Sequence, residues 1–206
     1  MNQYILISQV KKYPKNDIGA FDSNIGSIVS IINKIHKKEL VSPLEIVYSG
    51  EFQCISNNIT KSINIIFDVE ECIIENILPY KFKHILYCHK TDANHNKYSA
   101  FETLGISMID ARNRLNAIKK TDSRILIEAS NDEQSLSLNN LFLLYEDYID
   151  SWQFKDYEYI KAFLNHMSYK EVADLFHINT SNGWRKEKNL KMKQYYTIKE
   201  VILSNV

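Results

Sequence analysis

The spacing of apolar positions changes period several times along the chain, and each change marks an element. Tyr4 to Val10 is short, apolar and β-branched, which predicts a strand. Lys11 to Asn24 is polar and holds Pro14, Asp17 and Gly19, so it reads as a loop, with Ser23 or Asn24 placed to cap the next element. Ile25, Ile28, Val29, Ile32 and Ile35 recur at helical spacing and predict a helix over 25–36. Lys34, Lys37 and Lys38 lie at its end, where cations oppose the helix dipole. Leu44, Ile46, Val47 and Tyr48 lead to Ser49-Gly50, and Glu51-Phe52-Gln53 opens a second run. That is a hairpin over 44–56, with glycine supplying the positive φ of a two-residue turn.

Asn58 to Asn76 carries Ile59, Ile63, Ile66, Phe67, Cys72 and Ile73 on one helical face, and Pro79 closes it. His84 to His89 reads as a strand, Lys90 to Lys97 as a polar turn, and a third helix begins at Ala100 and is clearest over 107–119. Ser123 to Ala129 is a further strand and Asn131 to Ser135 a polar hinge, after which the pattern is helical throughout. The order β-α-β-β-α-β-α-β is the split β-α-β pattern of a ferredoxin-like fold with an added helix and strand. Nucleotide cyclase and polymerase palm domains use this layout. The expected class is α+β, with a ferredoxin-like, nucleotide cyclase-like domain over 1–132 and an all-α domain over 133–206.

Composition narrows the classes. The 206 residues carry no formal net charge, so nothing global calls for nucleic acid or membrane. The distribution is uneven: residues 151–206 hold nine Lys/Arg against six Asp/Glu, and residues 1–150 sixteen against nineteen. Three widely spaced cysteines (Cys54, Cys72, Cys88) contain no CxxC pair, which points to buried thiols in a reducing compartment. The apolar run near the N-terminus is too short for a signal-peptide core, and no stretch has the length of a membrane span. A cytoplasmic protein is expected. The five glycines are isolated, so no phosphate-binding loop is present.

The hairpin string Ser49-Gly50-Glu51-Phe52-Gln53 resembles the Gly-Asp-Glu-Phe-Gln turn of SatD-type bacterial proteins, which look like relatives of the nucleotide cyclase fold. Two other stretches extend the resemblance: the first strand, ending Ser8-Gln9-Val10, and Leu104-Gly105-Ile106-Ser107 through Ala111-Arg112 to Leu115. The resemblance implies a metal-binding acid on the first strand and another in the hairpin turn. Such a pair would hold the divalent cations that bind a triphosphate and activate a hydroxyl. Here the matching positions are Ser8 or Gln9, and Gly50, none of them anionic. Glu51 is adjacent, but neighbouring strand residues point to opposite faces. Gln9, Gly50, Glu51 and Arg112 are therefore read as positions of a degenerate site; Arg112 either binds an anion, with Arg114, or pairs with a carboxylate such as Glu51, the favoured reading. No catalytic residue, metal or cofactor is expected.

The histidines offer no ligand spacing. His84 and His89 fall on opposite strand faces. His89, Asp92 and His95 share a loop that reads better as solvated.

In the C-terminal region, Leu138, Leu141, Phe142, Tyr145, Tyr148, Ile149 and Trp152 form a stripe that packs a core or joins the domains, or pairs two copies as a homodimer. Phe154 to His166 is the next helix. Ser168-Tyr169-Lys170-Glu171 has the form of a capping box. The string from Tyr169 to Lys188 resembles a helix-turn-helix of the sigma-factor and resolvase kind, with Val172, Ala173, Leu175, Phe176 and Ile178 at packing positions. His177 stands at the tight turn in place of glycine, and Gly183 replaces the usual Val or Ile, which lets Trp184 turn inward. Thr180 or Ser181 caps a recognition helix running to Lys193. Its exposed face presents Thr180, Ser181, Asn182, Arg185, Lys186 and Lys188, chemistry suited to phosphates and base edges.

The expected function is therefore a non-enzymatic DNA-binding regulator with duplex DNA as partner. The alternative is an interaction or dimerisation scaffold that binds a nucleotide without turnover.

Overall fold

The computed structural model describes residues 2–12, 18–89, 100–118 and 123–206. The strand and helix readings above carry over in order, giving a mixed α+β architecture. Strands β1 (Gln3–Lys12), β2 (Leu40–Tyr48), β3 (Glu51–Ser56), β4 (Lys81–His89) and β5 (Ile125–Glu128) form one sheet in the order β2-β3-β1-β4-β5. β1 runs antiparallel to both β3 and β4, β2 antiparallel to β3, and β5 parallel to β4. Two of its connections cross over an intervening strand. Helix α1 (Ile18–His36) joins β1 to β2 with β3 between them, and helix α2 (Ile59–Glu75) joins β3 to β4 with β1 between them.

Alternation sorts the strand residues between two faces. Tyr4, Leu6, Phe52, Cys54, Phe82, Leu86, Ile125 and Ile127 share one apolar core with α1 and α2. Ile5, Ile7, Ile55 and Ile85 face the other way, onto Ala111 and Leu115 of α3 (Ala100–Ala117). The first core does not stop at the sheet. It continues through α4 (Asp132–Ser151), α5 (Tyr157–Leu164), α6 (Tyr169–Leu175) and α8 (Met192–Ser204), taking in Phe142, Tyr145, Trp152, Ile160, Val172, Tyr195 and Ile202. Trp152 Nε1 donates to Leu190 O at 2.8 Å, just after α7 (Thr180–Asn189). Tyr195 Oη donates to Glu71 on α2 at 2.5 Å.

Both sheet margins are finished by side chains. Asn33 of α1 accepts from Leu44 N at 2.7 Å and donates to Leu44 O at 2.9 Å, beside Pro43 on β2. On the opposite margin, α4 lies along β5. Asn139 accepts from Ile127 N and donates to Ile127 O, both at 2.8 Å, while Ser135 Oγ accepts from Ala129 N. The Glu146 carboxylate takes Arg124 N and Ile125 N, each at 2.8 Å. Unpaired strand groups at a sheet edge template further pairing; these contacts occupy them along β5 and, on β2, at Leu44.

Several boundaries differ from expectation. α1 begins at Ile18, so Ser23 and Asn24 lie within it instead of capping it. Phe21 extends the stripe of Ile25, Ile28 and Ile32 back by one turn, and its burial outweighs the nearby Gly19. The helix expected over 180–193 is two helices: Lys191 takes a left-handed conformation (φ 53°) that ends α7, and Lys193 belongs to α8. Asn179, not Thr180 or Ser181, caps α7, its Oδ1 accepting from Asn182 N at 2.8 Å. The reading of Lys90 to Lys97 as a turn, with Asp92 and His95, lies outside the described residues.

Candidate nucleic-acid interface

The hairpin that resembles an active-site turn is built around Gly50. Its φ is 74°, and its carbonyl accepts from Val10 N at 2.7 Å. A Cβ at this position would lie 2.6 Å from Val10 Cγ1 and 3.1 Å from Phe21 Cζ. A side chain here, an aspartate included, would have to displace the Val10 and Phe21 side chains and would also sit on a strained backbone.

Glu51 is the next residue, buried on the α3 side of the sheet at 4% exposure. Its Oε1 accepts from Arg112 Nη2 at 2.8 Å and Nε at 3.2 Å, and its Oε2 from Gln9 Nε2 at 3.1 Å. Arg112 Nη2 also donates to Gln53 Oε1 at 3.4 Å, and the guanidinium lies 5.7 Å from the Tyr48 ring centre. The structure thus joins Gln9, Glu51 and Arg112 in one cluster, with both carboxylate oxygens engaged by donors. Among the described residues no three His, Cys, Asp or Glu side chains are grouped so as to hold an ion.

Behind the sheet lies a second polar cluster that no local pattern announced. Ser8 Oγ lies 2.7 Å from His84 Nδ1, and His84 Nε2 lies 2.9 Å from Glu70 Oε1. This serine-histidine-carboxylate chain has the order of a nucleophile relay, but Ser8 and His84 are fully buried. The carboxylate is also committed elsewhere: Arg124 donates to both Glu70 oxygens (2.8 and 2.7 Å) and to Phe82 O at 2.8 Å. Burial raises the Glu70 pKa, but the Arg124 charge and the hydrogen bonds from His84 and Arg124 prevail and bring it down to about 2. Enclosed on every side, the chain ties α2, β1, β4 and the start of β5 together instead of facing a substrate.

The C-terminal helices are set by local rules. The Ser168 side chain accepts from Glu171 N, and Glu171 Oε2 accepts from Ser168 N at 2.7 Å, so the capping box that starts α6 is complete. His177, in the turn, takes φ 51°, a conformation His enters more readily than β-branched residues do. Gly183 is the close-approach point between α6 and α7. A Cβ there would lie 2.3 Å from Tyr169 O and 2.9 Å from Ala173 Cβ. Tyr159 of α5 stacks on Phe176 with ring centres 4.2 Å apart, closing the third side of the module.

This packing decides which α7 side chains reach solvent. Thr180, Ser181, Asn182, Arg185 and Lys188 are exposed together on one helix. Lys186 is a correction: its ammonium bonds Asp156 Oδ1 at 2.9 Å and lies 4.3 Å from the Tyr159 ring centre, so it faces the protein. Trp184 is the opposite correction. It is 48% exposed, and Lys188 Nζ lies 5.8 Å from its ring. Gly183 holds the helix contact that an inward tryptophan would have supplied. That substitution is the signal in the sequence that α7 needs no large apolar side chain inside. Tyr169, Thr180, Ser181, Trp184 and Arg185 line a shallow depression of about 420 Å³.

Comparison with protein-family models, with curated proteins and with solved structures found no match. No helix among the described residues is long and apolar enough to cross a membrane.

Proposed function

We propose that this protein is a DNA-binding regulator. In this reading α6 and α7 are a helix-turn-helix, α7 is the recognition helix, and duplex DNA is the partner. The observation that carries it is the outward row Thr180, Ser181, Asn182, Trp184, Arg185 and Lys188, presented on a helix seated by the Gly183 contact. A helix of this kind fits the major groove, with cations on phosphates and its N-terminal polar groups at base edges.

The sheet unit, residues 1–132, is proposed as a ferredoxin-like, cyclase-type domain related to SatD-type proteins, and residues 133–206 as the helical DNA-binding unit. The strand order and the two interleaved crossovers support that assignment. Gly50 and the Glu51–Arg112 pair support a sheet unit that acts by structure and binding, not turnover.

Titration of the full chain into labelled duplex DNA at low ionic strength tests the reading. Salt-sensitive binding that falls with Arg185→Ala is expected; absence of binding, or binding indifferent to Arg185, rejects it.

A second reading, self-association as a scaffold, is favoured by one observation. Leu136, Leu143 and Leu144 on α4 are each more than half exposed. Sedimentation of the chain with and without Leu143→Glu separates the two.

A further inference from the structure

Trp184 is about half exposed, and it is not the residue that seats α7 on α6. The helix contact at this turn belongs to Gly183 and Ala173, the only buried residue of α7 is Gly183, and the indole projects outward. A large apolar ring with about half its surface open to solvent amid cations is matched to a partner that is both anionic and apolar in places. Around it, Arg185 and Lys188 are exposed on the same helix, and Glu187 is the one acid between Thr180 and Lys191. Among the four bases in a duplex, thymine alone offers an apolar projection to the major groove, its 5-methyl group. Phosphates on either side meet the cations.

We infer that Trp184 is a specificity-determining residue that reads the 5-methyl group of thymine in the major groove, beside phosphate contacts from Arg185 and Lys188. The inference rests on the DNA-binding reading above. It assigns Trp184 a selective task, while Arg185 and Lys188 supply the attraction that any sequence satisfies.

The test needs no knowledge of the target site. In a duplex of alternating dA and dT every base pair presents a thymine methyl, whatever the register. The same duplex with uracil in place of thymine keeps the charge and the hydrogen-bonding edges and removes only the methyl groups. Anisotropy titrations of the full chain with these two duplexes, at equal low salt, are compared for wild type, Trp184→Phe and Trp184→Ala. Wild type is expected to bind the thymine duplex about fourfold more tightly, the worth of one buried methyl. Trp184→Phe keeps part of that preference, and Trp184→Ala binds both duplexes equally. Trp184 is about half exposed and Gly183 holds the helix contact, so each variant is expected to remain folded, which a thermal scan checks. Equal wild-type affinities overturn the inference, as does a preference that survives in Trp184→Ala or tighter binding to single-stranded dT than to duplex. Failure to bind any DNA rejects the DNA-binding reading itself, and the inference with it; DNA binding without methyl preference rejects only the inference.

Discussion

Lys186 and Asp156 are joined at 2.9 Å across the base of α7, although a helical-wheel reading puts the lysine among the DNA-facing cations. The carboxylate and the Tyr159 ring together hold its ammonium against α5. Removing one cation from the phosphate backbone should lower the slope of log affinity against log salt by about one. Arg185→Ala and Lys188→Ala are expected to show that reduction. Lys186→Met is expected to leave the slope unchanged while weakening affinity through a loosened α7. Titrations at several salt concentrations distinguish the three variants.

Gly183→Ala sets two effects against each other. Helix propensity alone favours alanine by about 1 kcal/mol. The added Cβ, however, would stand 2.3 Å from a backbone oxygen of α6 and 2.9 Å from Ala173 Cβ. Overpacking of this kind costs about 1–3 kcal/mol, so the packing term wins. Chemical denaturation should show net destabilisation; stabilisation would mean α6 and α7 move apart freely.

Gly50→Asp restores the acid that the hairpin of a cyclase-type site carries, and is expected to fail as a repair. The left-handed backbone and the 2.6 Å approach to Val10 Cγ1 oppose it. Strain of this type costs about 1–3 kcal/mol. Incubation of wild type or the variant with nucleoside triphosphates and Mg²⁺ or Mn²⁺ is expected to give no product by chromatography. Turnover that depends on Glu51 would refute the degenerate-site reading.

His36 clasps α1 to α2, with Nε2 2.6 Å from Asp68 and Nδ1 2.9 Å from Glu39. The hydrogen bond with Asp68 leads in raising its pKa, outweighing the burial that lowers it. A histidine whose folded pKa is raised contributes fully below its unfolded value, about 6.5. That contribution is lost as pH rises through the higher folded value. The melting temperature should therefore decline as pH climbs above about 6.5, and His36→Gln should flatten that part of the profile. Equal slopes in both proteins would show that the clasp carries no charge.

Glu70 and Arg124 form a buried bidentate pair. Glu70→Gln leaves Arg124 without its principal counter-charge, and breaking such a pair costs about 3–5 kcal/mol. Joint replacement with Arg124→Met should recover part of that cost. Additive effects in urea denaturation would argue against coupling.

Local chemistry was legible in the residues themselves. Ser168 and Glu171 lie three apart, and the capping box they predict is present. Ser49-Gly50 predicted its turn, because only glycine enters that backbone region cheaply. The start of α1 was not legible: Gly19 signals a loop, and only the burial of Phe21 shows otherwise. The relay of Ser8, Glu70 and His84 spans 76 residues between serine and histidine, and no periodicity links such positions. The fate of Lys186 depended on Asp156, 30 residues away, and that of Trp184 on how closely Gly183 lets two backbones approach. Side chains on a helix surface are assigned by the room the neighbouring helix leaves, information that spacing along one helix does not contain.

Asn33 and Asn139 bear on how copies of this protein can meet. A sheet grows like a one-dimensional crystal, each margin being the face on which the next strand deposits. Here a carboxamide sits on each face as a growth poison, satisfying one residue's N–H and C=O together. Replacing both asparagines by alanine reopens the two fronts, and concentration-dependent strand exchange becomes the expected mode of failure. While they remain, β5 and the Leu44 step of β2 are closed to a further strand, and association is directed to helix surfaces and to the exposed remainder of β2.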